Sequence, residues 1–262
     1  MTTLAGRTIA ALRSEHDTLA STIPALSPEQ LTGPSGAADW SVADVLSHLG
    51  SGAEITFADF RTGVGETEAP GPGFNESVWD RWNALSPSAQ AAAWRESDAA
   101  LIRALEAVPE ERHGELSIKL GFLPEPLPFA SYVAMRLSEA VQHSWDVRAG
   151  LDPAAALAEP SALLVAEHLS EGLSFLLGFI GRPAEAREHT VIEISGTPYR
   201  IVLDGAARLT TEAVPATATF TGPLESAVRL IYGRLTAKHT PGDVEVTGNI
   251  TLDELRTVFP GF

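Results

Sequence analysis

The 262-residue chain contains no cysteine. That absence excludes disulfides, thiolate zinc fingers and a cysteine nucleophile, and any thiol chemistry must use a thiol that arrives as a small molecule. Positive charge is scarce as well: 18 Lys and Arg stand against 34 Asp and Glu, a net charge of −16. Nucleic-acid binders need clustered Lys and Arg to neutralise phosphates. No basic block occurs, so a nucleic-acid partner is not expected. Long apolar runs are missing too, none approaching the ~18 residues of a membrane span. The start, MTTLAGRTIAALRSEHD, carries neither a long apolar region nor a small-residue cleavage pattern, so it does not read as a signal peptide. The expectation is a cytoplasmic protein with no membrane partner. Also missing are G-x-S-x-G, H-E-x-x-H, a P-loop and G-x-G-x-x-G, which removes the motif-based readings of a serine hydrolase, a zincin, an NTPase or a dinucleotide enzyme.

What is present is an ordinary globular balance, 44% hydrophobic and 20% charged. The first two thirds read as helices. Leu4, Leu12, Leu19 and Ile23 fall at helical spacing over 4–23. A second helix starts at Ser41 in DWSVADVLSHLG, where Ser41 and Asp44 have the form of a capping box and Val42, Val45, Leu46, Leu49 and Ala53 form an apolar stripe. Residues 63–75 read as a Gly/Pro loop, 86–107 as a helix, and GFLPEPLPF as a second loop. A long helix from about 129 to 149 stops at Gly150 and Pro153. Another apolar helix is expected over 160–181. After GRPAEAREH the texture changes: TVIEISG, YRIVLDG and ATATFTG alternate and close on Gly, as strands do. A helix in PLESAVRLIYGRL, a short strand VEVTG and a terminal helix from Leu252 complete a small α+β module. The expected fold class is α+β, with a helical bundle over 1–182 and an α+β domain over 183–262.

The stretch EAVQHSWD places Glu139, His143 and Asp146 at i, i+4 and i+7, on one helical face. Arg136 and Gln142 share that polar stripe, opposite a wide apolar arc, so the stripe faces either water or a cleft inside the bundle. His48 sits on the shoulder of the Ser41 helix's apolar stripe, among Ser47, Gly50, Ser51 and Gly52. Two glycines inside a helix point to a close backbone approach or to open space. If His48 meets Glu139 and His143, two imidazoles and a carboxylate can bind a divalent cation and leave a position for water or substrate. Zinc is the first choice, and iron, nickel and manganese also suit these donors. The alternative is a solvated helix face with His48 as a core histidine. The other histidines, His16, His113, His168, His189 and His239, lack partners at ligand spacing and read as structural or surface residues. Trp79, Trp82 and Trp94 read as core or pocket wall.

W-S-V-A-D-V-L-S-H-L, followed some ninety residues later by E-A-V-Q-H-S-W-D, resembles the mycothiol-dependent maleylpyruvate isomerase family, within the wider group of DinB-like metal-binding bundles. The closing TGPLESAVRLIYGRL and VEVTGNITLDELRTVFPGF resemble that family's sterol-carrier-like C-terminal domain. The resemblance implies a DinB-like four-helix bundle followed by a sterol-carrier-like domain, with a metal held by His48, Glu139 and His143. Asp146 matches the acid after the last ligand and would orient a ligand or bound water; otherwise it is a solvated charge or a partner for Arg148. Arg234, in IYGRL, matches an arginine of the C-terminal domain that would bind a substrate carboxylate; otherwise it is a surface residue. Mycothiol is the implied co-substrate, acting on an electrophilic small molecule by cis–trans isomerisation or by S-transfer. Two rival readings are a non-catalytic small-ligand or lipid-binding protein and a metal-dependent hydrolase with Asp146 as base.

Overall fold

A computed structural model describes residues 2–186 and 189–261. The chain divides into two compact units, Met1–Asp152 and Pro153–Phe262. The first holds helices α1 (Leu4–Thr22), α2 (Pro28–Thr32), α3 (Val42–Gly63), α4 (Phe74–Asn83), α5 (Pro87–Glu106) and α6 (Phe129–Leu151). The four long ones form a bundle in which α3 and α1 each pack on both α5 and α6. Around the proline-rich loop, where a plain loop was expected, β1 (Ser117–Ile118) and β2 (Leu127–Pro128) pair antiparallel.

The start of α3 is fixed locally. Ser41 Oγ accepts the Asp44 N–H at 3.1 Å while Asp44 Oδ2 accepts the Ser41 N–H at 2.9 Å, satisfying two otherwise orphaned donors. From that start the stripe of Val42, Val45, Leu46, Leu49 and Ala53 turns inward and is buried. All of it but Ala53 packs with Leu19, Leu31, Val78, Trp82, Trp94 and Val147 in one core. Gly50 is a close approach: a methyl there would lie 2.1 Å from the Trp82 ring. The sequence left the polar stripe of α6 between water and cleft, and all of it but the partly exposed Glu139 faces inward: Arg136 is 4% exposed, Gln142 2%, His143 7% and Asp146 0%.

Buried polar groups need partners inside the protein, and Arg136 finds them across the bundle. Its Nη2 donates to Asp98 Oδ1 of α5 at 2.6 Å and to the Leu49 carbonyl of α3 at 2.9 Å. On its other oxygen Asp98 meets His16 Nδ1 of α1 at 2.7 Å. One network therefore ties all four helices. Desolvation opposes the Asp98 charge, but the pull of Arg136 and the hydrogen bonds of His16 and Arg136 outweigh it, holding the carboxyl below its ordinary value.

Asp59, further along α3, has the opposite bias: burial pushes its carboxyl up from 3.8 to about 6. A raised carboxyl contributes stability that is fully present below the unfolded value and is lost as pH rises through the folded one. Stability should therefore fall between about pH 4 and 6 from this group. Asp59→Asn should raise neutral-pH stability by on the order of 1 to 2 kcal/mol, after discounting for partial exposure, and flatten that window. Urea denaturation at pH 4 and pH 7 checks this; an equal effect of the substitution at both would contradict it.

The second unit contains α7 (Glu159–Ser170), α8 (Leu177–Ile180), strands β3 (Thr190–Ile194), β4 (Arg200–Leu203), β5 (Ala207–Thr210), β6 (Ala218–Thr221) and β7 (Glu245–Gly248), with α9 (Leu224–Ile231) and α10 (Leu252–Val258). Sheet order is β5-β4-β3-β6-β7, with β3 and β6 parallel and the other pairs antiparallel. Three features depart from the sequence reading. The boundary falls after Asp152 rather than after 182, because α7 packs on α9 and β5. The helix expected over 160–181 ends at Ser170, where the Leu173 N–H reaches back to the His168 carbonyl at 2.8 Å and buried Leu173 and Leu177 anchor the turn. β5 was not foreseen; it joins β4 through a turn whose Gly205 takes φ +84°, a backbone state that favours glycine. Among the described residues no single helix is long and apolar enough to cross a membrane.

Candidate functional site

His48 lies in the second turn of α3, and Glu139 and His143 lie one turn apart on α6. Packing of these two helices brings the three together. His48 Nε2 is 3.1 Å from Glu139 Oε2, and His143 Nε2 is 3.5 Å from the same oxygen. The imidazole rings meet edge to face, with centroids 4.5 Å apart. One ligand atom from each residue lies within 4.8 Å of the others, so the trio could hold a metal ion. Desolvation works against the Glu139 charge, but hydrogen bonds from His143 and His48, with their charge, outweigh it and hold the carboxyl well below its ordinary value. Glu139 is thus an anionic donor, as a cation site requires.

His143 is oriented from behind. Its Nδ1 lies 2.8 Å from Asp146 Oδ2, one turn further along α6, and Asp146 is fully buried. A carboxylate accepts, so Nδ1 carries a proton, and Nε2 is the ring nitrogen that faces Glu139 and His48 and that could bind a cation. Of the three readings the sequence left for Asp146, the solvated charge is overturned by that burial.

The front of the site is open. His48 and Glu139 keep 39% and 43% of their side-chain surface exposed. Beside them is a cleft of about 500 Å3 lined by Asp39, Trp40, Asp44, His48, Ser51, Trp79 and Asn83. Trp40 is placed over both histidines, its ring 5.1 Å from His48 and stacked at 6.0 Å on His143. The loop carrying it is latched to α6: Gly36 N–H donates to the Asp146 carbonyl at 2.7 Å, and a methyl on Gly36 would come within 2.8 Å of Trp145. Ser35 Oγ donates to the Trp40 carbonyl at 2.8 Å, closing the loop on itself.

Four of the five expected site residues therefore gather in the bundle. Arg234 belongs to the second unit, just after α9, where it is 8% exposed and its Nη1 donates to the Tyr232 carbonyl at 3.1 Å. That burial overturns the surface-residue alternative. The sequence reading missed Trp40, whose only signal was its place beside the Ser41 cap. It also missed the His16–Asp98–Arg136 network, whose signal was ionisable residues set at core-facing positions of three helices. Among the tryptophans, Trp82 and Trp94 are core and Trp79 is cleft wall, 44% exposed.

A family model described as the mycothiol maleylpyruvate isomerase N-terminal domain matches residues 12–148. The chain belongs to this family. The matched span contains His48, Glu139, His143 and Asp146. In its fold this family member is similar to the crystal structure of the mycothiol-dependent maleylpyruvate isomerase, at 16% identity and a TM-score of 0.64, covering 95% of this chain and 98% of that one. A mutant of the mycothiol-dependent maleylpyruvate isomerase aligns with 15% identity and a TM-score of 0.65, over the same shares. At such identities the likeness establishes the shared fold, a helical bundle followed by a smaller sheet unit. No curated protein sequence matches the chain.

Proposed function

We propose that this family member is a mycothiol-dependent metalloenzyme that sets a thiolate against an electrophilic small molecule. The observation that carries the reading is the convergence of His48 Nε2 and His143 Nε2, from two helices, on one oxygen of an anionic Glu139 beside an open cleft. The donor set fits a divalent cation: two imidazole nitrogens, one carboxylate, and an exposed side for a further ligand. Zinc is the first candidate. Such a cation supplies the charge that lets a thiol with pKa near 8.5 ionise at neutral pH. His48 and Glu139 offer their donors from the cleft side, and Asp146 holds the His143 tautomer. Asp146→Asn should weaken metal affinity by about 10- to 100-fold without removing it, as loss of an orienting partner does. A competition titration with a chromogenic chelator reads this, and an unchanged affinity would contradict the orienting role.

Chemically, a thiolate adds to the carbon–carbon double bond of a cis-enone acid, and the former double bond rotates as a single bond. Expulsion of the thiolate then re-forms the double bond as trans, so no atom is gained or lost. S-transfer differs only in the last step: a leaving group departs and sulfur stays attached. Arg234 is proposed to hold a carboxylate of an acidic electrophile, for which a guanidinium fork is suited. The hydrolase alternative required Asp146 as base, and a fully buried carboxylate bonded to His143 is poorly placed to take a proton from water. The test is mass spectrometry and NMR of the zinc-loaded protein with mycothiol and a panel of electrophiles including maleylpyruvate. Isomerised product without retained sulfur assigns an isomerase, a stable sulfur adduct assigns a transferase, and turnover without any thiol would overturn the reading.

A further inference from the structure

We infer that the cleft between α4 and the 33–41 loop is a subsite for a neutral, polyhydroxylated ring, and that it holds the hydroxylated part of the thiol co-substrate while sulfur reaches the His48–Glu139–His143 centre. The second half of this inference rests on the proposed thiol chemistry; the first does not.

Exposed apolar side chains carry information where they cluster, and two tryptophans line this one cleft: Trp40 at 38% and Trp79 at 44% exposure. An indole face stacks against the C–H face of a saturated ring while leaving the ring's hydroxyls free at the edge. The edge of the cleft carries the complementary polar groups. Asp39 is exposed, and among the described residues nothing bonds its carboxylate. Its backbone sits at φ +63°, a left-handed state uncommon outside glycine, which turns the chain directly before Trp40. Asn83 Oδ1 accepts from Ser47 Oγ at 3.3 Å, so its Nδ2 remains a donor. Ser51 Oγ donates to the His48 carbonyl at 3.1 Å and keeps lone pairs to accept. Asp44 is committed to the Ser41 cap.

This mixture of donor and acceptors decides the ligand class. A hydroxyl both gives and takes hydrogen bonds, so a ring bearing several satisfies Asp39, Ser51 and Asn83 together. A dianionic acid would face Asp39 and Asp44, which repel it, so the acidic electrophile does not enter from this side. An organic cation would suit the tryptophans and Asp39 but gains nothing from the Asn83 donor. Because Trp40 touches the histidines as well, a ring stacked on it lies next to the metal ligands, within reach of a thiol attached to that ring. Mycothiol, a thiol borne on hydroxylated rings, has that form.

Two measurements separate the subsite from the thiol reading. Saturation-transfer NMR with thiol-free probes, myo-inositol and methyl glucoside, should show transfer to the ring protons, and Trp79→Ala should abolish it. In turnover, Trp79→Ala should raise the KM for mycothiol about tenfold and leave that for N-acetylcysteine, which has no hydroxylated ring, unchanged. Saturation transfer to tetramethylammonium but not to the polyols, or an equal loss with both thiols, would overturn the subsite. If neither thiol supports turnover, the thiol reading fails while the probe experiment still decides whether a polyol binds here.

Discussion

His48→Ala should leave a folded protein that no longer retains a divalent cation and no longer supports thiol-dependent turnover. The side chain is more than a third exposed and sits at the mouth of the site, so little packing is lost with it. Its Nε2 is nonetheless one of the three ligand atoms gathered there among the described residues. Removing one leaves a histidine and a carboxylate one turn apart on a single helix, too few donors to complete a metal site. The loss should exceed the roughly 10- to 100-fold expected when only an orienting partner such as Asp146 is altered. Metal content after dialysis, measured beside helical circular dichroism, checks this. The wild type should carry one equivalent and His48→Ala almost none, with superimposable spectra. Retention of the metal by the variant would mean that the ligands lie elsewhere.

The second large effect concerns stability. Asp98→Ala should destabilise the bundle by about 3 to 5 kcal/mol, because it leaves the guanidinium of Arg136 buried without its counter-charge. Arg136 is 4% exposed and Asp98 2%, so water cannot replace the lost partner. Asp98→Asn, which keeps the shape and one acceptor, should cost less. The depressed carboxyl also sets a direction with pH: its contribution is present above the unfolded carboxylate value and fades as pH falls through the folded one. Arg136 bonds the Leu49 carbonyl, adjacent to His48, and lies one turn before Glu139. Loss of Asp98 should therefore also weaken metal retention, unlike a destabilising change remote from that junction. Chemical denaturation measures the first effect and chelator competition the second. A loss below about 1 kcal/mol would show that the buried charge finds another partner.

Legibility followed how local each signal was. The α3 start was readable because Ser41 and Asp44 form a closed unit within four residues. The β-rich texture after residue 189 was readable because alternation and glycine punctuation are local as well. His48, Glu139 and His143 were legible as candidates, with only the Glu139–His143 pair set by helical spacing. Their meeting with His48 depends on the α3–α6 packing, and that came into the reading through the family resemblance. Trp40 was not legible, since its place over the histidines arises from the Gly36 contact with α6. Asp98 and His16 were missed because, although both fall at core-facing positions, neither has a partner close in sequence; only the bundle brings both to Arg136. The boundary at 182 followed a change in texture, whereas the contacts of α7 put 153–182 with the sheet.

Cobalt substitution tests the central claim most directly. Co(II) should bind with a stoichiometry of one per chain, and adding mycothiol should produce a sulfur-to-cobalt charge-transfer band that is absent in Glu139→Gln and His143→Ala. A cobalt spectrum unchanged by thiol, or one that persists in both variants, would contradict a site in which these side chains hold a cation open to sulfur.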